Sequence, residues 1–246
     1  MNKEFSITET AKILAVNAQT LRRWDKSGRL VARRKKTGKI SRYYYDENKI
    51  EDFLSADFSV LFKIAHKWGF DQNPFGIPRR FYCPDKSIFK ARLSRFEYDL
   101  SQSKNFTEIF PLIVAIAGEI GNNSYDHNLG NWPDAPGAFF GYNIDKRKVV
   151  LADRGQGLLK TLKQVRPDLA SHSEALKVAF TELISGRAPE ARGNGLKYVR
   201  DVVLNYGFKL FFQSGDAVLN LGRKNKTLKI EKSQDFARGA FALLSY

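Results

Sequence analysis

The chain has 246 residues, 43% of them hydrophobic, and its 41 Lys plus Arg against 26 Asp plus Glu give a formal charge of +15. That length and apolar share suffice for one large domain or two smaller ones with real cores, and they argue against a disordered chain. A single cysteine, Cys83, excludes a disulfide framework and a cysteine-based zinc cluster; with no signal peptide or long apolar span visible, the expectation is a soluble cytoplasmic protein without a membrane partner.

The basic excess points to a polyanion. It is densest at the start, where residues 1–54 carry thirteen basic and seven acidic side chains. There, "FSITETAKILAV" places Ser6 and Glu9 at the spacing of a capping box ahead of a short helix. After it, Asn17 can cap a second helix, "AQTLRRWDKSG", in which Leu21 and Trp24 share the inner face and Gly28 supplies the stop. Two short helices across a tight turn predict a helix-turn-helix. The outer face of the second helix offers Gln19, Arg22, Arg23 and Lys26, side chains that bond to phosphates and to base edges.

The next stretch, "LVARRKKTGKISRYYYDENKIEDFL", sets Arg33, Arg34, Lys35, Lys36, Lys39 and Arg42 around a predicted hairpin tip at Thr37 and Gly38, with Ile40, Tyr43 and Tyr45 as strand residues. The order of "TLRRWDKSG" and "SRYY" resembles the winged helix-turn-helix of the MerR and excisionase families over residues 5 to 54. The resemblance implies double-stranded DNA as partner, the second helix in the major groove and the basic wing over the backbone or minor groove.

Residues 56–70, "ADFSVLFKIAHKWGF", predict an amphipathic packing helix with Val60, Ile64 and Trp68 in one stripe. The Pro-rich "DQNPFGIPRRFYCPD" reads as a connector, with a domain boundary near residue 85. Phe89, Leu93, Phe96 and Leu100 then restore helical periodicity in "SIFKARLSRFEYDLSQS".

In "VAIAGEIGNNSYDHNLG", Glu119, Asn123 and His127 recur every four residues, opposite Ile113, Ile116 and Ile120. Such a polar stripe is either solvated or paired with a ligand or metal, because each unsatisfied buried group costs about 1–3 kcal/mol. Further on, "KRKVVLADRGQGLL" is a buried-looking strand ending at Asp153, with Gly155 and Gly157 in the pattern D-x-G-x-G. In "EARGNGLKYVRDVVLNYG", Gly193, Asn194 and Gly195 stand at the head of a helix marked by Leu196, and a helix N-terminus suits phosphate.

Taken in order, E-x-x-x-N, D-x-G-x-G and G-x-G resemble the GHKL ATPase superfamily of gyrase, chaperone ATPases, histidine kinases, MutL and anti-sigma kinases, over about residues 86–246. The resemblance implies ATP and Mg2+ as cofactors, with Glu119 polarising the attacking water or hydroxyl and Asn123 holding Mg2+. It also places Asp153 on the adenine amino group, Gly155 and Gly157 beside the base, and Gly193 to Leu196 over the phosphates. "LISGRAPEARGNG" would form a lid offering Arg187 and Arg192 to the phosphates. Asp126 and His127 match by position without an assigned role. No P-loop is present, His66 lacks the acidic neighbour of a phosphoacceptor histidine, and no transducer domain is visible.

The fold expected is therefore α+β: a small winged helix-turn-helix over 1–55, a helical connector over 56–85, and an α/β sandwich over 86–246 with a mostly antiparallel sheet and helices on one face. The function expected is an ATP-responsive DNA-binding transcriptional regulator. Its rivals are a protein serine/threonine kinase acting on a partner protein, a slow DNA-associated ATPase of a mobile-element or defence cassette, and a nucleotide-binding module without turnover. Two-fold symmetric DNA binding would be ordinary here, which leaves a homodimer open, although no sustained heptad seam supplies one.

Overall fold

The computed structural model describes residues 3–37, 40–182, 195–222 and 228–246. Strand β1 (Glu4–Ser6) runs directly into α1 (Ile7–Ile13) through the predicted capping box: Ser6 Oγ accepts from the Glu9 N–H at 3.3 Å, and Glu9 Oε2 accepts from the Ser6 N–H at 2.8 Å. Asn17 caps α2 (Ala18–Lys26), its Oδ1 accepting from the Thr20 N–H at 2.7 Å. Leu21 and Trp24 are buried as their spacing predicts, and Gly28, at φ 73°, reverses the chain after the helix. A hairpin of β2 (Arg33–Thr37) and β3 (Ile40–Asp46) follows, and α3 (Glu47–Ala56) starts from the Asp46 cap. Strand β1 adds to the other edge of β3, giving the order β1-β3-β2. Three residues carry too little alternation for β1 to be anticipated.

Helix α4 (Phe58–Phe70) buries Val60, Ile64 and Trp68. The Pro-rich stretch then ends in a 3-10 turn, Arg79–Phe81, and in β4 (Tyr82–Cys83). Helices α5 (Lys86–Ser101) and α6 (Phe110–Asp126) precede the hairpin β5 (Ala138–Asn143) and β6 (Lys148–Asp153). Next come α7 (Gly157–Leu162), α8 (His172–Thr181), α9 (Gly195–Tyr206), β7 (Lys209–Gly222) and β8 (Ile230–Ser245). The large sheet has the order β4-β5-β6-β8-β7, and its pairings are antiparallel.

Alternation along β6 and β8 divides the apolar residues between two faces. Val149, Leu151, Ala242 and Leu244 face α5, α6, α8 and α9, meeting Phe96, Ile116, Phe180 and Val199. Val150, Ala152 and Phe241 face the other way, onto Leu61, Ile64 and Trp68 of α4, in a core that continues to Leu21, Trp24 and Tyr45 of the helix-turn-helix.

Helices on one face alone are thus an incomplete description. A strand apolar on both sides must be covered on both, and α4 is the second cover. The boundary near residue 85 is a change in local composition, and packing crosses it: β4 pairs with β5, and the N-terminal core is continuous with the outer face of the sheet.

Candidate functional site

Asp153 ends β6 at the centre of the sheet and is 4% exposed. Its Oδ2 accepts from Ser124 Oγ at 2.8 Å and its Oδ1 from the Gly155 N–H at 2.8 Å. Burial raises its pKa above the ordinary carboxylate value, outweighing those two bonds and a third from the Ala240 N–H. Gly239 of β8 lies directly against the carboxyl: a Cβ there would stand 2.0 Å from Asp153 Oδ1 and 2.6 Å from the Gly155 nitrogen.

Asn128 fixes the turn that follows. Its Nδ2 donates to the Ser124 carbonyl at 2.7 Å, and its Oδ1 accepts from the Gln156 N–H at 2.7 Å. Gly155 packs on that amide, where a Cβ would fall 2.1 Å from Asn128 Nδ2. Gly157, at φ 73°, opens α7, and the Leu158 N–H donates to Ser214 Oγ at 3.0 Å. The two motif glycines therefore do different work, one for close approach and one for a left-handed turn.

Above Asp153, a cavity of about 30 Å³ is lined by Asn123, Ser124, His127 and Asn128 on one side and by Leu158, Leu196 and Phe212 on the other. It holds about one water. A ligand much larger than water does not fit it in this conformation. Wider clefts of about 550 Å³ beside Arg92 and Arg95 and about 650 Å³ beside Arg29 and Lys148 are lined by other residues and lack Asp153.

The α6 stripe divides on folding. Asn123 lines the cavity, and so does His127, which is the C-cap of α6 and not part of its body. Glu119, one turn earlier, places its carboxylate against the first residue of α9, so that a Cβ on Gly195 would lie 2.4 Å from Glu119 Oε2. Asp126 is ion-paired with Lys86 and is not among the residues that line this cavity. Arg187, Arg192, Gly193 and Asn194 lie outside the described residues, as do Gly38 and Lys39 of the wing. Among the described residues, no three His, Cys, Asp or Glu side chains converge as a metal site.

Ser124 lies inside the polar stretch of α6 without a role that spacing could assign, and Asn128, Ser214 and Gly239 carry no local signal at all. Cys83 is buried beneath the sheet edge, and burial pushes its thiol up to about 11, so it is unreactive at neutral pH.

On the N-terminal unit, Gln19, Arg22, Arg23 and Lys26 lie along α2, and all four are exposed. The wing cations divide into two groups. Arg33 and Lys35 both pair with Glu4 of β1, and Arg34 Nη2 reaches Asp25 Oδ2 at 3.0 Å. Lys36 and Arg42 have no carboxylate partner among the described residues, and both are exposed. Part of the basic charge therefore holds the wing to β1 and α2.

Residues 5–55 match the MerR HTH family of regulatory proteins, and the N-terminal unit is a helix-turn-helix of that type, which suggests a DNA-binding regulator. Over 228 residues the chain is 22% identical to the type II methyltransferase M.Eco47II of Escherichia coli, with 86% of this chain and 51% of the relative aligned. The chain thus spans about half the length of that relative. No solved structure matches it. Among the described residues, no helix is long and apolar enough to cross a membrane.

Proposed function

We propose that the chain is a DNA-binding transcriptional regulator whose second unit binds an adenine nucleotide, ATP with Mg2+, at Asp153. The observation that carries this reading is the Asp153 carboxyl, buried, oriented by Ser124 and Gly155, and facing a cavity walled by Ile120, Leu158, Leu196 and Phe212. A carboxyl so placed accepts a hydrogen bond from an exocyclic amino group, and apolar walls suit a planar base.

The donor set fits the nucleotide once the start of α9 swings away. Asn123 would then face Mg2+ on the triphosphate, and Glu119, released from the α9 terminus, would orient a water or hydroxyl. ATP supplies a transferable phosphoryl group; this chain's own residues supply position and a base. Because Glu119 lies against Gly195, opening the cavity and freeing the base are one movement in this reading. Hydrolysis, transfer to a partner protein and sensing without turnover are three outcomes of the same site, and Glu119→Ala separates the first two from the third: it abolishes hydrolysis or transfer and leaves binding intact.

The likeness to a methyltransferase supplies a second adenine-bearing candidate, S-adenosylmethionine, for the same Asp153 carboxyl. The decisive experiment measures DNA binding by the purified chain at fixed salt with no ligand, Mg-ATP, a non-hydrolysable ATP analogue or S-adenosylmethionine. A shift with both ATP forms supports the proposal. A shift confined to S-adenosylmethionine, or no binding of either ATP form in a direct titration of the chain, refutes it.

A further inference from the structure

Between Asp153 and the first glycine of D-x-G-x-G stands Arg154, whose side chain is 0% exposed and is not part of the cavity wall. Its guanidinium grips Asp134, with Nε 3.0 Å from Oδ1 and Nη2 2.6 Å from Oδ2. The remaining donors serve the end of α4: Nη1 reaches the carbonyls of Trp68 and Asp71, the latter at 2.9 Å, and Nη2 reaches that of Gln72 at 3.2 Å. An arginine has five N–H groups, and each has a partner here.

These carbonyls belong to the C-terminal turn of a helix and the residues just beyond it, which lack partners of their own and attract a cation. Arg238 ties the same segment, its Nη2 donating to the Gln72 carbonyl at 3.1 Å, and it adjoins the Gly239 that seats Asp153. Both strand segments that shape the Asp153 pocket therefore also hold the end of α4.

The other end of α4 belongs to the DNA-binding unit. Asp57 caps the helix through the Val60 N–H and pairs with Arg29, just beyond α2, while Leu61 and Ile64 share a core with Leu21 and Trp24. A continuous path of contacts thus runs from Asp153 through Arg154 and α4 to α2 and the Arg29 that follows it.

We propose that Arg154 is a positioning residue that makes occupancy of the Asp153 pocket and the posture of the helix-turn-helix one equilibrium. A buried charge is a costly way merely to fill space, since an apolar side chain of similar volume packs without desolvation. What the guanidinium adds is direction, because its planar fork fixes a helix end relative to a strand end, which neither an apolar residue nor the point charge of lysine can do. The inference rests on the proposed nucleotide site, and coupling so carried must be reciprocal.

The test uses a DNA duplex selected by the full chain from a random library. Its affinity is measured with and without Mg-ATP, and ATP affinity with and without the duplex, for the wild type, Arg154→Lys, Asp134→Asn and the milder, more exposed Arg238→Ala. The expected wild-type shift is about tenfold in both directions; it falls below about twofold in Arg154→Lys and Asp134→Asn and is reduced in Arg238→Ala, while each variant melts cooperatively and binds each ligand alone. Folded variants that keep the wild-type shift overturn the proposal, and so does a wild type that binds ATP without any shift.

Should the wild type bind no ATP, the nucleotide reading fails on its own, and hydrogen exchange with duplex alone decides the coupling. Protection of residues 68–72 and 153–155 that rises on DNA binding in the wild type but not in Asp134→Asn sustains it. Unchanged protection refutes it.

Discussion

Replacing Asp153 by asparagine keeps the shape of the side chain and removes its charge. The amide Oδ1 can still accept from the Gly155 N–H, and Nδ2 then meets Ser124 Oγ, which turns to accept. What changes is ionisation. Burial raises the folded-state pKa of Asp153, so its contribution to stability is whole below the unfolded value, about 3.9, and is lost as pH rises through the folded pKa. Over that window the unfolded carboxyl has released its proton and the folded one has not, so the wild type loses up to about 1.4 kcal/mol per pH unit from this group.

An asparagine amide does not titrate. The Asp153→Asn variant should match the wild type near pH 4 and exceed it by about 1–3 kcal/mol at pH 8, a range set by the desolvation of one buried polar group. For a chain of this size that is roughly 2–12 °C in Tm. Thermal melts of both proteins at constant ionic strength from pH 4 to 8.5 provide the comparison. An offset that does not vary with pH, or a variant less stable at pH 8, would refute the reasoning and make the carboxylate a structural anchor. Under the proposed function the stabilised variant should also bind ATP at least about tenfold more weakly, because its amide presents an N–H to the amino group of the base.

Gly239→Ala drives a Cβ into Asp153 and the Gly155 backbone, which cannot step aside as a flexible side chain could; a loss of about 1–3 kcal/mol or more is expected in urea melts. Among the described residues, a Cβ at Gly195 meets the Glu119 side chain alone, whose carboxylate end can shift, so melting of Gly195→Ala should barely change, while any phosphate that the wild type releases from Mg-ATP should fall sharply. Arg22→Ala and Arg23→Ala should each weaken duplex binding and lower the salt slope by about one, whereas Arg33→Ala, which removes a partner of Glu4, should change the slope less. Ser124→Ala takes away one of the donors that orient Asp153, costing about 1–3 kcal/mol at neutral pH and weakening ATP binding with it.

Local chemistry was legible in the sequence wherever cause and effect lie within a few residues. The Ser6–Glu9 box, the Asn17 cap, the inner face of Leu21 and Trp24, the Val60, Ile64 and Trp68 stripe, and the strand ending at Asp153 all follow from periodicity and capping, which the backbone enforces over one or two turns. The same local logic missed β1, which is a strand only because β3 offers it an edge. Nor could it show that Lys86, far away in the chain, pairs with Asp126.

Tertiary structure alone decided that Gly239 seats Asp153, that Asn128 holds the glycine turn, and that Arg154 reaches across to Asp134 and the end of α4. None of these pairings has a period or a spacing. They arise because antiparallel register brings β8 beside β6, and because a strand apolar on both faces needs α4 as its second cover, so a side chain leaving the strand end meets partners that no local pattern can name.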